Sequence, residues 1–101
     1  MLFLNPAPEK ILKELVAASK ITAEQAELAG LVPMADDITV EADSAGHTDN
    51  QPLVSLLPSI IALRDRTQEK NRFENTVRVG AAGGISTPES ALAAFMMGAA
   101  Y

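Results

Sequence analysis

Two short strand patterns separated by a long helical one constrain this chain more than any other feature of its sequence. Ile38-Thr39-Val40-Glu41-Ala42 alternates apolar and polar residues, which is strand periodicity, and Val77-Arg78-Val79-Gly80-Ala81 makes a second short strand. Between them Leu56, Leu57, Ile60, Ile61 and Leu63 belong to a helical pattern running from Leu53 to about Lys70. A strand–helix–strand run of this kind implies parallel pairing through a right-handed crossover. Two parallel strands alone do not make a self-sufficient sheet, because both faces and both edges need cover. The expectation is an α/β protein that forms a piece of a larger fold, with residues 1–35 a helical lead-in and residues 36–101 two βα units.

The remaining elements follow from start and stop signals. A first helix is predicted from about Pro8 to Ser19, with Ile11, Leu12, Leu15 and Val16 as its apolar stripe. Thr22 and Gln25 stand at capping-box spacing and open a second helix, for which Gly30 is the expected left-handed stop. Pro58 is awkward inside a helix, so the regular part of the long helix is expected to start near Ser55 or Leu56. Thr87 followed by Pro88 announces an alanine-rich helix to about Met97, with Gly98 as its stop. Ala99-Ala100-Tyr101 reads as the entry to another apolar strand.

Composition removes several functional classes. The 101 residues carry 8 basic and 13 acidic side chains, a formal charge of −5, which disfavours a nucleic-acid partner. Cysteine is absent, so disulfides, thiolate metal sites and cysteine nucleophiles are excluded. The apolar lead Met1-Leu2-Phe3-Leu4 is too short for a signal-peptide core, and no apolar run reaches the roughly 18 residues of a membrane span. A soluble, cytoplasmic protein with no membrane partner is the expectation.

Chemistry concentrates in two places. Gly83-Gly84 follows the second strand and precedes a helix, an arrangement in which backbone amides and the positive helix end can face a phosphate. Ser86 and Thr87 offer hydroxyls, Thr87 doubling as a helix cap. The same glycine pair also serves as a simple tight turn, and local pattern leaves both readings open. His47, the single histidine, lies in Asp43-Ser44-Ala45-Gly46-His47-Thr48-Asp49-Asn50, just past the carboxyl end of a strand, where parallel α/β folds hold their chemistry. There it either exchanges protons near neutral pH or sits as a surface-loop histidine bonded to Asp49 or a carbonyl. Its neighbours Asp43 and Asp49 lack a recognisable metal-ligand spacing, so no metal is expected. Asp36-Asp37 reads as a solvated strand entry, Met96-Met97 as core, and Glu41 as pointing away from Val40 to the opposite face.

Longer stretches carry a resemblance. Ile21 to Ala26, Ala35 to Ser44, Gly46 to Asn50, Pro52-Leu53-Val54, Leu56-Leu57-Pro58 and Ile60 to Asp65 closely resemble the trans-acting enoyl reductases of polyunsaturated fatty acid and polyketide synthases. The match continues through Val77 to Ala81, Gly83-Gly84-Ile85, Thr87-Pro88, Ala91 to Phe95 and Met97 to Tyr101. That family is related to the FMN-dependent nitronate monooxygenases, once called 2-nitropropane dioxygenases.

The resemblance implies an FMN-binding (β/α)8 TIM barrel, of which this chain would be an internal part: a complete barrel takes about 250 residues. It implies that Gly83 and Gly84 bind the flavin phosphate, with Ile85 and Gly46 also at the cofactor. It further implies that His47 lies beside flavin and substrate as proton donor or carbonyl polariser. The implied reaction reduces an enoyl thioester on an acyl carrier protein, with NADPH as reductant. In the monooxygenase relatives the matching histidine would act as a base on a nitroalkane. A non-catalytic barrel fragment, completed by self-association as a homo-oligomer or by the remaining barrel segments, is the alternative of another class. Two positions depart from the family pattern: Ala45 stands where a second glycine is usual, and Gln51 where an arginine is expected.

Overall fold

A computed structural model describes residues 2–42 and 52–101. The element order is a short 3₁₀ turn (Leu2–Leu4), α1 (Glu9–Ala17), α2 (Ala23–Ala29), β1 (Asp37–Glu41), α3 (Leu53–Asn71), β2 (Arg78–Ala82) and α4 (Pro88–Met96). The chain divides into two compact units, Met1–Asp36 with Thr67–Val77, and Asp37–Arg66 with Arg78–Tyr101.

In the first unit, α1 and α2 are held by their ends. Thr22 Oγ1 accepts from the Gln25 N–H while Gln25 Oε1 accepts from the Thr22 N–H, the capping box expected from the sequence. The left-handed stop expected of α2 at Gly30 is not found. Gly30 is right-handed (φ −72°), because short bonds from the Gly30 and Leu31 N–H groups to Glu27 and Leu28 close α2 without a reversal. Ser19 instead adopts φ +57° after α1, where the Lys20 and Ser19 N–H groups reach back to the Leu15 and Val16 carbonyls. That is the paired bonding of a Schellman motif with serine where glycine is usual. Leu12, Val16 and Ala17 of α1 and Ala23 and Ala26 of α2 line an apolar cleft of about 420 Å³. Gln68 organises the loop after α3: its amide donates to the Phe73 and Asn75 carbonyls and its Oε1 accepts from the Val77 N–H.

The second unit is a parallel pair, β1 and β2, in the register Asp37↔Arg78 to Glu41↔Ala82. Val40 and Val79 point into a core with Leu57, Ala94 and Ala99, flanked by Leu53, Leu56, Ile60, Ile61, Ala81 and Met97. The parallel crossover through α3 is therefore as the sequence predicts. α3, however, starts at Leu53 and carries Pro58 in its interior. Leu53, Leu56 and Leu57 all pack on the core, and the Pro52 carbonyl accepts from the Ser55 and Leu56 N–H groups. This packing outweighs the one backbone bond that proline cannot make. Met97 joins the core, but Met96 is exposed, which corrects its reading as a core residue.

α4 ends as predicted at Gly98 (φ +108°), with Ala99 and Gly98 N–H groups bonded back to Ala94 and Phe95. The chain then runs along the other edge of β2: the Ala100 N–H donates to the Val79 carbonyl and the Ala81 N–H to the Tyr101 carbonyl. These bonds match the expected strand entry at Ala99-Ala100-Tyr101. Among the described residues, no helix is long and apolar enough to cross a membrane.

Candidate functional site

The parallel register brings the carboxyl ends of β1 and β2 to one edge of the sheet. The ladder continues one step past β1, where the Ala42 N–H donates to the Ala82 carbonyl at 2.9 Å. Gly83 then turns the chain at φ +82° and Gly84 keeps it turning at φ +70°. A Cβ on Gly83 would stand 2.5 Å from the Ala42 carbonyl oxygen, so this position is closed to other residues by both conformation and space. The backbone of the glycine bend is thus packed against the last described residue before the segment that carries His47. His47 and Gly46, with Asp43, Ala45, Asp49 and Gln51, lie outside the described residues.

The bend suits an anionic group in part. Among the described residues, the backbone N–H groups of Gly83, Gly84, Ile85 and Ser86 donate to no acceptor of the chain. Successive amides left open by left-handed glycines form a concavity that favours a phosphate. Ile85 and Ser86 are exposed beside it. The helix behind the bend offers less than the sequence suggested. Thr87 Oγ1 already accepts from the Ser90 N–H, Ser90 Oγ accepts from the Thr87 N–H, and Pro88 has no N–H to give. Glu89 adds a negative charge to the first turn. An anion at this bend would therefore meet the loop amides first, with the α4 dipole secondary.

The sheet face opposite the core is polar and cross-linked. Arg78 Nε and Nη2 donate to the two Asp37 carboxylate oxygens at 2.6 and 2.5 Å. That bidentate hydrogen bond, with the guanidinium charge, holds the Asp37 carboxyl below its ordinary range. Asp37 is thus a paired residue and not the merely solvated strand entry expected. Tyr101 Oη and Thr39 Oγ1 share a hydrogen bond of 2.9 Å, and the Arg78 guanidinium lies 5.6 Å from the Tyr101 ring centroid. The ring packs against Gly80, whose added Cβ would meet Tyr101 Cε2 at 2.2 Å. This pairing was missed in the sequence, although an isolated glycine in a strand signals such a close approach. Glu41 shares the face with Asp37 and Thr39, at its carboxyl end. Among the described residues, no three acidic, histidine or cysteine side chains gather as a metal site.

Comparison with known proteins covers the chain almost end to end. It is 60% identical over 102 residues to a polyunsaturated fatty acid synthase component of Thraustochytrium sp. (strain ATCC 26185 / S-3), spanning 99% of this chain and 5% of that protein. It is 54% identical over 99 residues to the polyketide biosynthesis protein PksE of Bacillus subtilis (strain 168), spanning 98% of this chain and 13% of that protein. The crystal structure of the enoyl reductase domain of MlnA, from the macrolactin biosynthesis cluster of Bacillus amyloliquefaciens, superposes with a TM-score of 0.91 at 43% identity. That match covers 98% of this chain and 22% of the solved one. No family model matches the sequence. The chain is homologous along its length to a small part of each of these synthase proteins.

Proposed function

We infer, from homology to a segment of synthase proteins and an enoyl reductase domain, that this chain is the flavin-phosphate-binding part of an FMN-dependent enoyl reductase. The larger body would be a (β/α)8 barrel, to which β1, α3, β2 and α4 contribute two βα units. The observation that carries the reading is the whole-chain likeness to the MlnA domain at 43% identity and a TM-score of 0.91. When bound, FMN supplies a hydride for the double bond of an enoyl thioester carried on an acyl carrier protein, with NADPH as its reductant.

The chain's own residues have separable roles in that reading. The amides of Gly83, Gly84, Ile85 and Ser86 hold the phosphate, and Gly83 keeps the bend close to β1 because it has no Cβ to strike the Ala42 carbonyl. His47, five residues after Ala42 in sequence, donates the proton that completes reduction, or polarises the thioester carbonyl. In the same reading the neighbouring Gly46 also lies at the cofactor. Further barrel segments, from the same polypeptide or a partner, complete the sheet.

Titration of the chain with FMN and with riboflavin tests this reading, because the two ligands differ only in the phosphate. Saturable FMN binding, tighter than riboflavin by about tenfold or more, is the expected result, since hydrogen bonds to a charged group are worth about 1.5–3 kcal/mol. Equal affinities, or no flavin binding, would overturn it.

A further inference from the structure

α4 carries an apolar surface that the core does not use. Its buried residue Ala94 packs with Val40, Leu57, Val79 and Ala99. At about 100° per residue, Leu92 and Met96 stand about 160° around the helix from Ala94, one to each side, and Phe95 about 100°. Leu92, Phe95 and Met96 are accordingly 61%, 57% and 79% exposed. In a (β/α)8 barrel the helices form the outer ring, so Leu92 and Met96, opposite the core, turn outward from the strands. Three side chains of this size present on the order of 400 Å² of apolar surface, comparable to the largest patch of a typical monomer, and such patches mark interaction sites.

The area of the patch and the length of the solved relative together select an occupant. Covering it buries roughly 800 Å² in total, short of the roughly 1,200 Å² of a stable complex between free partners. That area falls within the roughly 600–1,500 Å² found between parts of one chain. It disfavours a second copy and suits a tethered segment. Because 98% of the 101 residues fill 22% of the solved enoyl reductase domain of MlnA, that domain has roughly 450 residues, against about 250 for a barrel. About 200 residues of such a domain lie outside the barrel, with only its outer surface and ends to pack against.

We propose that the Leu92, Phe95 and Met96 face of α4 is the docking surface for the extra-barrel segment of an enoyl reductase domain, which covers it with an apolar face of its own. The inference rests on the barrel reading of the fold and is independent of the flavin contact.

Met96 reports on its own cover, because hydrogen peroxide oxidises exposed methionine thioethers and peptide mass spectrometry locates the sulfoxide. The rate is measured in the chain alone and in the MlnA domain with this chain substituted for its homologous segment. Met97, packed against the core, is the internal reference. Met96 oxidises rapidly in the chain and at least about tenfold more slowly in the domain. Equal rates in the two overturn the proposal. If the substituted domain does not fold, hydroxyl-radical labelling of the unaltered MlnA domain at the positions aligned with Leu92, Phe95 and Met96 decides: protection supports the proposal and full labelling overturns it. Protection found only in full-length PksE carrying this chain makes another domain the occupant, and protection in the chain alone that grows with its concentration makes a second copy the occupant; either overturns it. The preference for FMN over riboflavin is read on the same substituted domain. Its absence with Met96 protected removes the flavin reading alone, and its presence with Met96 exposed removes this proposal alone.

Discussion

Replacing Gly80 with alanine should expel the Tyr101 ring from the sheet face. The new Cβ would lie 2.2 Å from Cε2 and 2.5 Å from Cδ2 and Cζ of that ring, inside any tolerable contact. Tyr101 is 41% exposed, so its ring has solvent to move into and β2 need not break. Moving it forfeits the hydrogen bond to Thr39, about 0.5–1.5 kcal/mol, and the Arg78 contact, about 0.5–1 kcal/mol at an exposed site. Alanine in a strand returns roughly 0.5–1 kcal/mol relative to glycine, so the net loss is about 0.5–1.5 kcal/mol. A double-mutant cycle with Tyr101→Ala isolates the clash. In that background Gly80→Ala should become neutral or stabilising by up to about 1 kcal/mol, as read from urea unfolding. Tyr101 is the single tyrosine and the chain has no tryptophan, so intrinsic fluorescence and its quenching by acrylamide report this ring alone. An equal cost of Gly80→Ala in both backgrounds, or unchanged tyrosine quenching, would refute the reasoning.

Two further outcomes follow from the same geometry. Ser19 (φ +57°) and Arg72 (φ +53°) hold left-handed conformations at helix ends, so Ser19→Gly and Arg72→Gly should each stabilise the fold by about 0.5–1 kcal/mol, raising the urea midpoint; a lowered midpoint would contradict this. Asp37 has a carboxyl pKa lowered by Arg78, so its contribution is present above the unfolded carboxylate value of about 3.9 and is lost as pH falls through the lower folded value. Asp37→Asn should therefore destabilise the chain at neutral pH and flatten its acid unfolding below about pH 4; an unchanged acid limb would count against the pairing.

The sequence carried the parts of the fold that depend on periodicity and caps. The β1–α3–β2 crossover, the Thr22 and Thr87 caps and the Gly98 stop all stand as local pattern implied, and the bonds of Ala100 and Tyr101 to β2 agree with a strand entry there. What local pattern could not supply were effects set by tertiary contact. Pro58 is carried inside α3 because Leu53, Leu56 and Leu57 bind the core. Gly30 stays right-handed because two i→i−3 bonds already end α2, and Ser19 turns left-handed at the end of the other helix, α1. Asp37 and Arg78 meet only once the strands are in register, 41 residues apart in the chain. For the site, the glycine pair was legible and its left-handed geometry is observed, whereas Thr87 and Ser90 are taken up by the α4 cap, which local pattern left open. The role of His47 rests on resemblance, since it lies outside the described residues.

The central claim is that the amides of Gly83, Gly84, Ile85 and Ser86 hold the phosphate of FMN. Amide proton–nitrogen correlation spectra of the labelled chain, recorded with FMN and separately with riboflavin, test it at the atoms concerned. The account predicts that these four amide signals move on addition of FMN and stay in place, or nearly so, with riboflavin. Signals that remain still with FMN while amides elsewhere in the chain respond would contradict it.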